Sequence, residues 1–170
     1  MASEPTAKPT FLVNLPTTSL PAATAFLKAL NFTHLTAWSD SSTTSFLLPP
    51  PNQSVGVMLH AHARMKDFIR PGTAIADARA TTAAVYTVMA ETREEVDRWM
   101  ERVERAGGKA DPYVMQGLEA MGMYVRSWED PVDGHLWEVC AMVGGGEGAG
   151  EGEQDRRASE APDWRRPIGF

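Results

Sequence analysis

The chain is poor in cysteine, in clustered positive charge and in long apolar runs. Cys140 is its single cysteine, which excludes an internal disulfide and any cysteine-based zinc cluster. Sixteen Lys and Arg stand against 22 Asp and Glu, for a formal net charge of -6 and a pI near 5.2. No Lys/Arg cluster rises above that acidic background, so nucleic acid and membranes are not expected partners. No apolar run approaches the roughly 20 residues of a membrane-spanning helix. The opening MASEPTAKPT lacks the apolar stretch of a secretory signal. A reducing, cytoplasmic setting is therefore expected. What is present is ordinary for a globular chain: 43% hydrophobic and 22% charged residues over 170 positions, enough for one domain burying roughly 70% of its unfolded surface.

Both ends depart from that composition. Residues 1–9 read as a flexible arm, and residues 144–170, beginning GGGEGAGEGEQ, read as a disordered Gly/Glu-rich tail. Within the tail only DWRRPIGF, with Trp164 and Phe170, offers anchors for docking or for a partner.

Between the ends lie two helix signals. In TSLPAATAFLKALNF, Ser19 is placed to cap, Pro21 sits in the first turn, and Leu20, Ala23, Leu27 and Leu30 recur at helical spacing. In TREEVDRWMERVERAGG, Thr92 and Glu95 form a capping box and Val96, Trp99, Met100 and Val103 a single apolar stripe. Gly107 and Gly108 end it. Strand-like runs surround both helices: TFLVNL, TAW, TSFLLP and SVGVMLHA about the first, AAVYTVMA, ADPYVMQ, GMYVRSW and HLWEVCAM about the second. Setting Phe11 against Val85, an offset of 74 residues, superposes the two patterns. The expectation is an α+β domain over 10–143, built from two βαβββ units at 10–61 and 83–143. The connector 62–82 is long, which suggests a lid anchored by Phe68 and Ile69.

FLVNLPTTSLPAATAFLKALNF and DPVDGHLWEV, at the two ends of this duplicated pattern, resemble the opening and closing motifs of vicinal oxygen chelate proteins, the glyoxalase/bleomycin-resistance/dioxygenase superfamily. The resemblance implies a half-open barrel of two βαβββ units around a central cleft. In metal-dependent members it implies ligands on the first and last strands of each unit, supplying Lewis-acid catalysis. Carried over, the last ligand falls on Glu138; the others fall near Thr10, on Ala84 or Val85, and on Met58 or His60. Glu138 with His60, and His62 two residues on, are the metal candidates, for one divalent Zn, Ni, Fe or Mn. With the other positions lost, the reading favours no complete metal site.

Glu138 lies between Trp137 and Val139 in a run that reads as a buried strand, and a buried carboxylate needs a partner. It is held by hydroxyls and amides (Thr10, Asn14, Tyr86, Thr87 or Tyr124), or it anchors a ligand and serves as a catalytic base, or it binds a metal. Asn14, Met58, His60, Tyr86, Tyr124 and Trp137 are the candidate ligand-lining residues. Asn14 stands where glutathione-using relatives carry an Arg, which argues against glutathione. Cys140 is either an inert buried thiol or, less simply, a nucleophile. Three functions remain open. The first, favoured, is small-molecule binding in the cleft without a complete metal site. The second is a metal-dependent lyase, isomerase or dioxygenase, and the third a partner-binding module acting through the tail. A homodimer is the favoured assembly.

Overall fold

The computed structural model describes residues 8–144. Of the expected arm and tail, residues 1–7 and 145–170 lie outside the described residues. In chain order the first unit holds β1 (Phe11–Thr17), α1 (Leu20–Ala29), β2 (Thr33–His34), β3 (Thr43–Leu47) and β4 (Val55–Ala61). A short helix, α2 (His62–Met65), opens the connector. The second unit holds β5 (Val85–Ala90), α3 (Arg93–Arg105), β6 (Lys109–Ala110), β7 (Met123–Glu129) and β8 (Leu136–Met142). Each unit forms one four-stranded sheet, ordered β1-β4-β3-β2 and β5-β8-β7-β6, with the first and last strands parallel and the rest antiparallel. The two sheets do not close into one barrel. This is the expected α+β architecture of two βαβββ units. Among the described residues no helix is long and apolar enough to cross a membrane.

Both helices start where their caps are. Ser19 Oγ accepts from the Ala22 amide at 3.4 Å, and Thr92 Oγ1 from the Glu95 amide at 3.2 Å. Glu95 completes its box one residue further back than the usual pattern, accepting from the Glu91 amide at 2.9 Å. The caps are 73 residues apart, one fewer than the offset of 74 taken from the strand starts. With period-two alternation, a one-residue slip places every strand residue against the wrong face of its counterpart. The corrected repeat sets Asn14 opposite Thr87 and Phe26 opposite Trp99.

Three expected strands are changed by local chemistry. Thr36–Trp38 is a single 3-10 turn, and β2 is the pair before it. ADPYVMQ does not run as a strand: β6 stops at Ala110, because Asp111 takes φ 48° and Pro112 has no amide to donate. At the end of β4 the strand stops at Ala61 and His62 begins α2, so His60 and His62 do not share a strand face.

The units share one core. Phe26, Leu27 and Leu30 of the first helix region and Val96, Trp99, Met100 and Val103 of α3 are buried together with Val57, Leu59, Trp128, Trp137 and Val139 from the sheets. Aromatic contacts cross between units: Phe26 to Trp128 at 5.8 Å, Phe32 to Trp99 at 6.1 Å and Phe32 to Trp137 at 6.2 Å between ring centres. Close approach at the end of α3 requires a glycine. A Cβ at Gly108 would lie 2.7 Å from Val103 Cγ1 and 3.1 Å from the Phe26 ring.

Polar contacts fasten the same junction at its ends. The Thr18 amide and hydroxyl both donate to Asp133 Oδ1, at 2.8 and 2.7 Å. His135 Nε2 donates to the Pro16 carbonyl at 2.9 Å. At the other end Asn52 exchanges two hydrogen bonds with the Met89 backbone. Phe26→Ala removes a side chain packed by both units, so it is expected to lower unfolding stability by about 3–5 kcal/mol. Urea unfolding followed by circular dichroism measures this.

Candidate functional site

Alternation along the strands sends the chemistry-bearing side chains to the faces opposite the core. In unit two, Trp137 and Val139 pack inward, while Glu138 and Cys140 share the other face with Thr87 and Ser127, the cross-strand neighbours of Glu138. In unit one, Val57 and Leu59 pack inward, while Met58 and His60 lie beside Asn14 and Thr43. The sequence candidates are therefore divided among three places.

The first place is a groove of about 440 Å³ over β7 and the loop before it, with Glu138 in its wall. Glu138 is 8% exposed. Its Oε2 accepts from the Thr87 hydroxyl at 2.9 Å and its Oε1 from the Tyr113 hydroxyl at 3.0 Å. Of the hydroxyls and amides named in advance, Thr87 is the partner found. Thr10 precedes β1 and donates to the Ser54 carbonyl, and Tyr124 donates to Asp97 at 2.8 Å. Burial, and then the bond to the carboxylate, push the Tyr113 phenol up to about 12. Ser127 secures the Tyr113 backbone, donating to its carbonyl and accepting from its amide. Arg126, the one cation lining the groove among the described residues, is committed to Asp111 at 2.6 Å and Asp97 at 3.2 Å. A carboxylate held only by neutral hydroxyls keeps two or more acceptor positions open.

The second place is the buried His60. Its Nε2 donates to Asn14 Oδ1 at 2.9 Å, so its Nδ1 accepts from the Thr43 hydroxyl at 2.8 Å. Phe68 of the connector lies on the ring at 4.8 Å, and the Arg64 guanidinium sits over the Phe68 ring at 4.7 Å. Burial, and then nearby Arg64, lower the His60 pKa. His62 is exposed at the start of α2.

The third place is the junction of the units beneath the connector. A cleft of about 240 Å³ is lined by Asn14, Pro16, Tyr86, His135 and Leu136, with Met65, Ile69, Ile75 and several alanines and threonines of the connector and the start of unit two. Arg79 ties the connector's far end down by donating to the Pro131 and Val132 carbonyls at 2.9 and 3.0 Å. Tyr86 packs on Trp137 at 4.9 Å, and burial raises its phenol pKa. Neither the Tyr86 hydroxyl nor Asn14 Nδ2 has a hydrogen-bond partner among the described residues. Trp137 itself, expected as a ligand contact, is a core residue stacked on Trp128 at 5.2 Å.

A divalent metal does not fit these groups within one chain. With the observed register, the adjacent first- and last-strand positions are Thr87 with Glu138 and Asn14 with Met58, in place of Thr10 and Ala84 or Val85. Only Glu138 of these four is a strong ligand type. His60 stands in the other sheet with both ring nitrogens bonded. Among the described residues no three His, Cys, Asp or Glu converge to hold a metal ion.

The sequence pattern does not single out Tyr113, because ADPYVMQ reads as a strand running through Asp111-Pro112. The Asp-Pro step, a turn signal, was the available clue. Cys140 is buried, and burial followed by Glu138 raises its thiol pKa, which suits an inert thiol.

The His60 shift has a definite sign. Above the ordinary value of 6.5 both folded and unfolded chains are neutral at this ring, and stability is full. As pH falls below it, the unfolded chain takes up a proton that the folded chain resists, so stability is lost through that window. His34, lowered by burial and by Lys28, adds in the same direction. Urea midpoints are expected to fall between about pH 7.5 and about pH 5.5, and to fall less in His60→Gln.

No family model matches the chain, and no curated protein matches its sequence. Solved structures do match. A hypothetical protein from S. aureus aligns over 76% of this chain and 91% of its own, at TM-score 0.61 and 22% identity. A glyoxalase/bleomycin resistance protein/dioxygenase family enzyme from Burkholderia phytofirmans aligns over 77% and 96%, at 0.60 and 15% identity. A lactoylglutathione lyase from Agrobacterium tumefaciens aligns over 82% and 96%, at 0.55 and 20% identity. At these identities the likeness is one of fold, and the fold of this chain is the glyoxalase-like, vicinal oxygen chelate arrangement of paired βαβββ units.

Proposed function

We propose that the chain binds a small, neutral, mostly apolar molecule in the junction cleft, without a metal held by its own residues. One observation carries this reading: Tyr86 and Asn14, each with a donor that has no partner among the described residues, line a cleft whose other walls are largely alkyl. Unpartnered donors in apolar walls are what orients a ligand in such a site. At about 240 Å³ the cleft exceeds the roughly 150 Å³ cavity that accommodates benzene, so a molecule of one or two rings fits. The connector, seated by Phe68 on His60 and by Arg79 on the 131–134 turn, supplies the cover that excludes water.

Exposed Val85, Met89 and Met142 on the β5–β8 face support pairing of two copies there. Sedimentation of the wild type against Met89→Asp tests it; a monomer in both rejects the pairing.

The ligand reading is tested with 1-naphthol, a neutral two-ring probe, titrated against tryptophan fluorescence. Saturable binding is expected. It should weaken about two- to tenfold in Tyr86→Phe, the effect of one neutral hydrogen bond, and disappear in Ala84→Trp, which fills the cleft. No saturable binding, or binding indifferent to both substitutions, rejects the site.

A further inference from the structure

We infer that the groove around Glu138 is a docking site for the chain's own segment 163–170, DWRRPIGF, with an arginine guanidinium seated on the Glu138 carboxylate. Asp111, Glu119 and Glu138 line the groove; Asp111 is held by Arg126 at 2.6 Å and Glu119 by Arg93 at 3.0 Å, which leaves Glu138 as the lining carboxylate without a cation among the described residues. A carboxylate as buried as Glu138, supported only by two hydroxyls, is stabilised most by a donor that brings positive charge and a planar fork.

The groove also has an apolar rim. Val114 and Met115, both lining it, are 69% and 48% exposed, side chains suited to an aromatic and aliphatic partner. DWRRPIGF joins the two chemistries: Arg165 and Arg166 lie between Trp164 and Ile168, with Phe170 beyond. The other arginine pair past residue 144, Arg156–Arg157, sits between Asp155 and Ala158 with no large apolar neighbour. The intervening linker carries Glu147, Glu151, Glu153, Asp155 and Glu160, which the acidic groove repels.

Attachment favours the same site. The chain leaves the described fold at Gly144, where the Val143 and Gly144 amides both donate to the Gly122 carbonyl, at 2.8 and 3.1 Å. Gly122 directly precedes Met123, which lines the groove. Nineteen residues of Gly-rich composition separate Gly144 from Trp164. A linker of that kind spans about 25 Å on average, so the segment is held near the groove at an effective concentration of order millimolar.

The test uses the full chain in a Cys140→Ala background carrying Met115→Cys and Gly169→Cys, oxidised at low protein concentration. A comparator replaces Met115→Cys with Ser41→Cys, on the exposed turn before β3. The Met115 pair is expected to form an intramolecular disulfide about tenfold faster than the comparator, an excess of the size that site-directed docking adds to simple tethering. Adding Arg165→Glu and Arg166→Glu should abolish the excess; Arg156→Glu and Arg157→Glu should leave it. Equal rates for the two pairs, an excess that survives reversal at Arg165 and Arg166, or a disulfide formed only between two chains would each overturn the inference. These substitutions lie outside the junction cleft, so naphthol binding in the same variants reports on the cleft separately.

Discussion

Aromatic packing across the junction of the two units decides which face of each sheet is hidden. Phe26 and Phe32 from one unit meet Trp99, Trp128 and Trp137 from the other, and each such ring buries a large apolar surface. Since strand side chains alternate, committing Trp137 and Val139 to the core commits Glu138 and Cys140 to the reverse face. Likewise Val57 and Leu59 fix the side on which Met58 and His60 stand. The polar groups of the two sheets are thereby kept apart within one chain.

That separation shapes the chemistry available to each group. Glu138 has lost most of its water and receives hydroxyl hydrogen bonds instead of a cation. Tyr113, in return, holds its proton tightly, through burial and then its bond to Glu138. His60 is kept in one neutral tautomer by Asn14 and Thr43 and covered by Phe68. The His60 ring is satisfied internally, whereas the Tyr86 hydroxyl and the Asn14 amide nitrogen have no partner among the described residues. Trp99 Nε1, Arg102 Nε and Trp128 Nε1 are also without a partner among those residues but lie buried, whereas open donors that line an alkyl-walled cleft point to a ligand.

Much of the fold was legible because it rests on local signals. Ser19, Thr92 and the stripe Val96-Trp99-Met100-Val103 carry helix information within a few residues, and the duplicated order of elements needs only their spacing. The repeat offset was misread by one, since strand starts are set by sheet pairing, which is not local, while caps are. Of the site, the buried position of Glu138 follows from the strand pattern, which leaves Thr87 as one of five candidate partners until the register is known. Tyr113 does not follow from it, because it comes from an irregular loop whose path depends on Ser127 across the sheet. The joint His60–His62 ligand idea failed at one residue, where β4 gives way to α2. Trp137 was assigned to a cleft for the same reason that it belongs in the core: a large ring beside Tyr86 serves either, and only the packing of the opposite unit distinguishes them.

Asp130 accepts three backbone amides, from Val132, Asp133 and His135, at 2.7–2.9 Å, and Gly134 turns the chain at φ 82°. Asp133 then reaches Thr18 at the entry to α1. The turn 130–134 that opens the closing motif is thus a fastener for the last hairpin and the first helix, set apart from the Glu138 carboxylate further along the same motif. A turn of this kind serves the architecture. It can persist while the reactive groups a few residues away are exchanged, and a motif of this kind identifies kinship of shape without testifying to kinship of reaction.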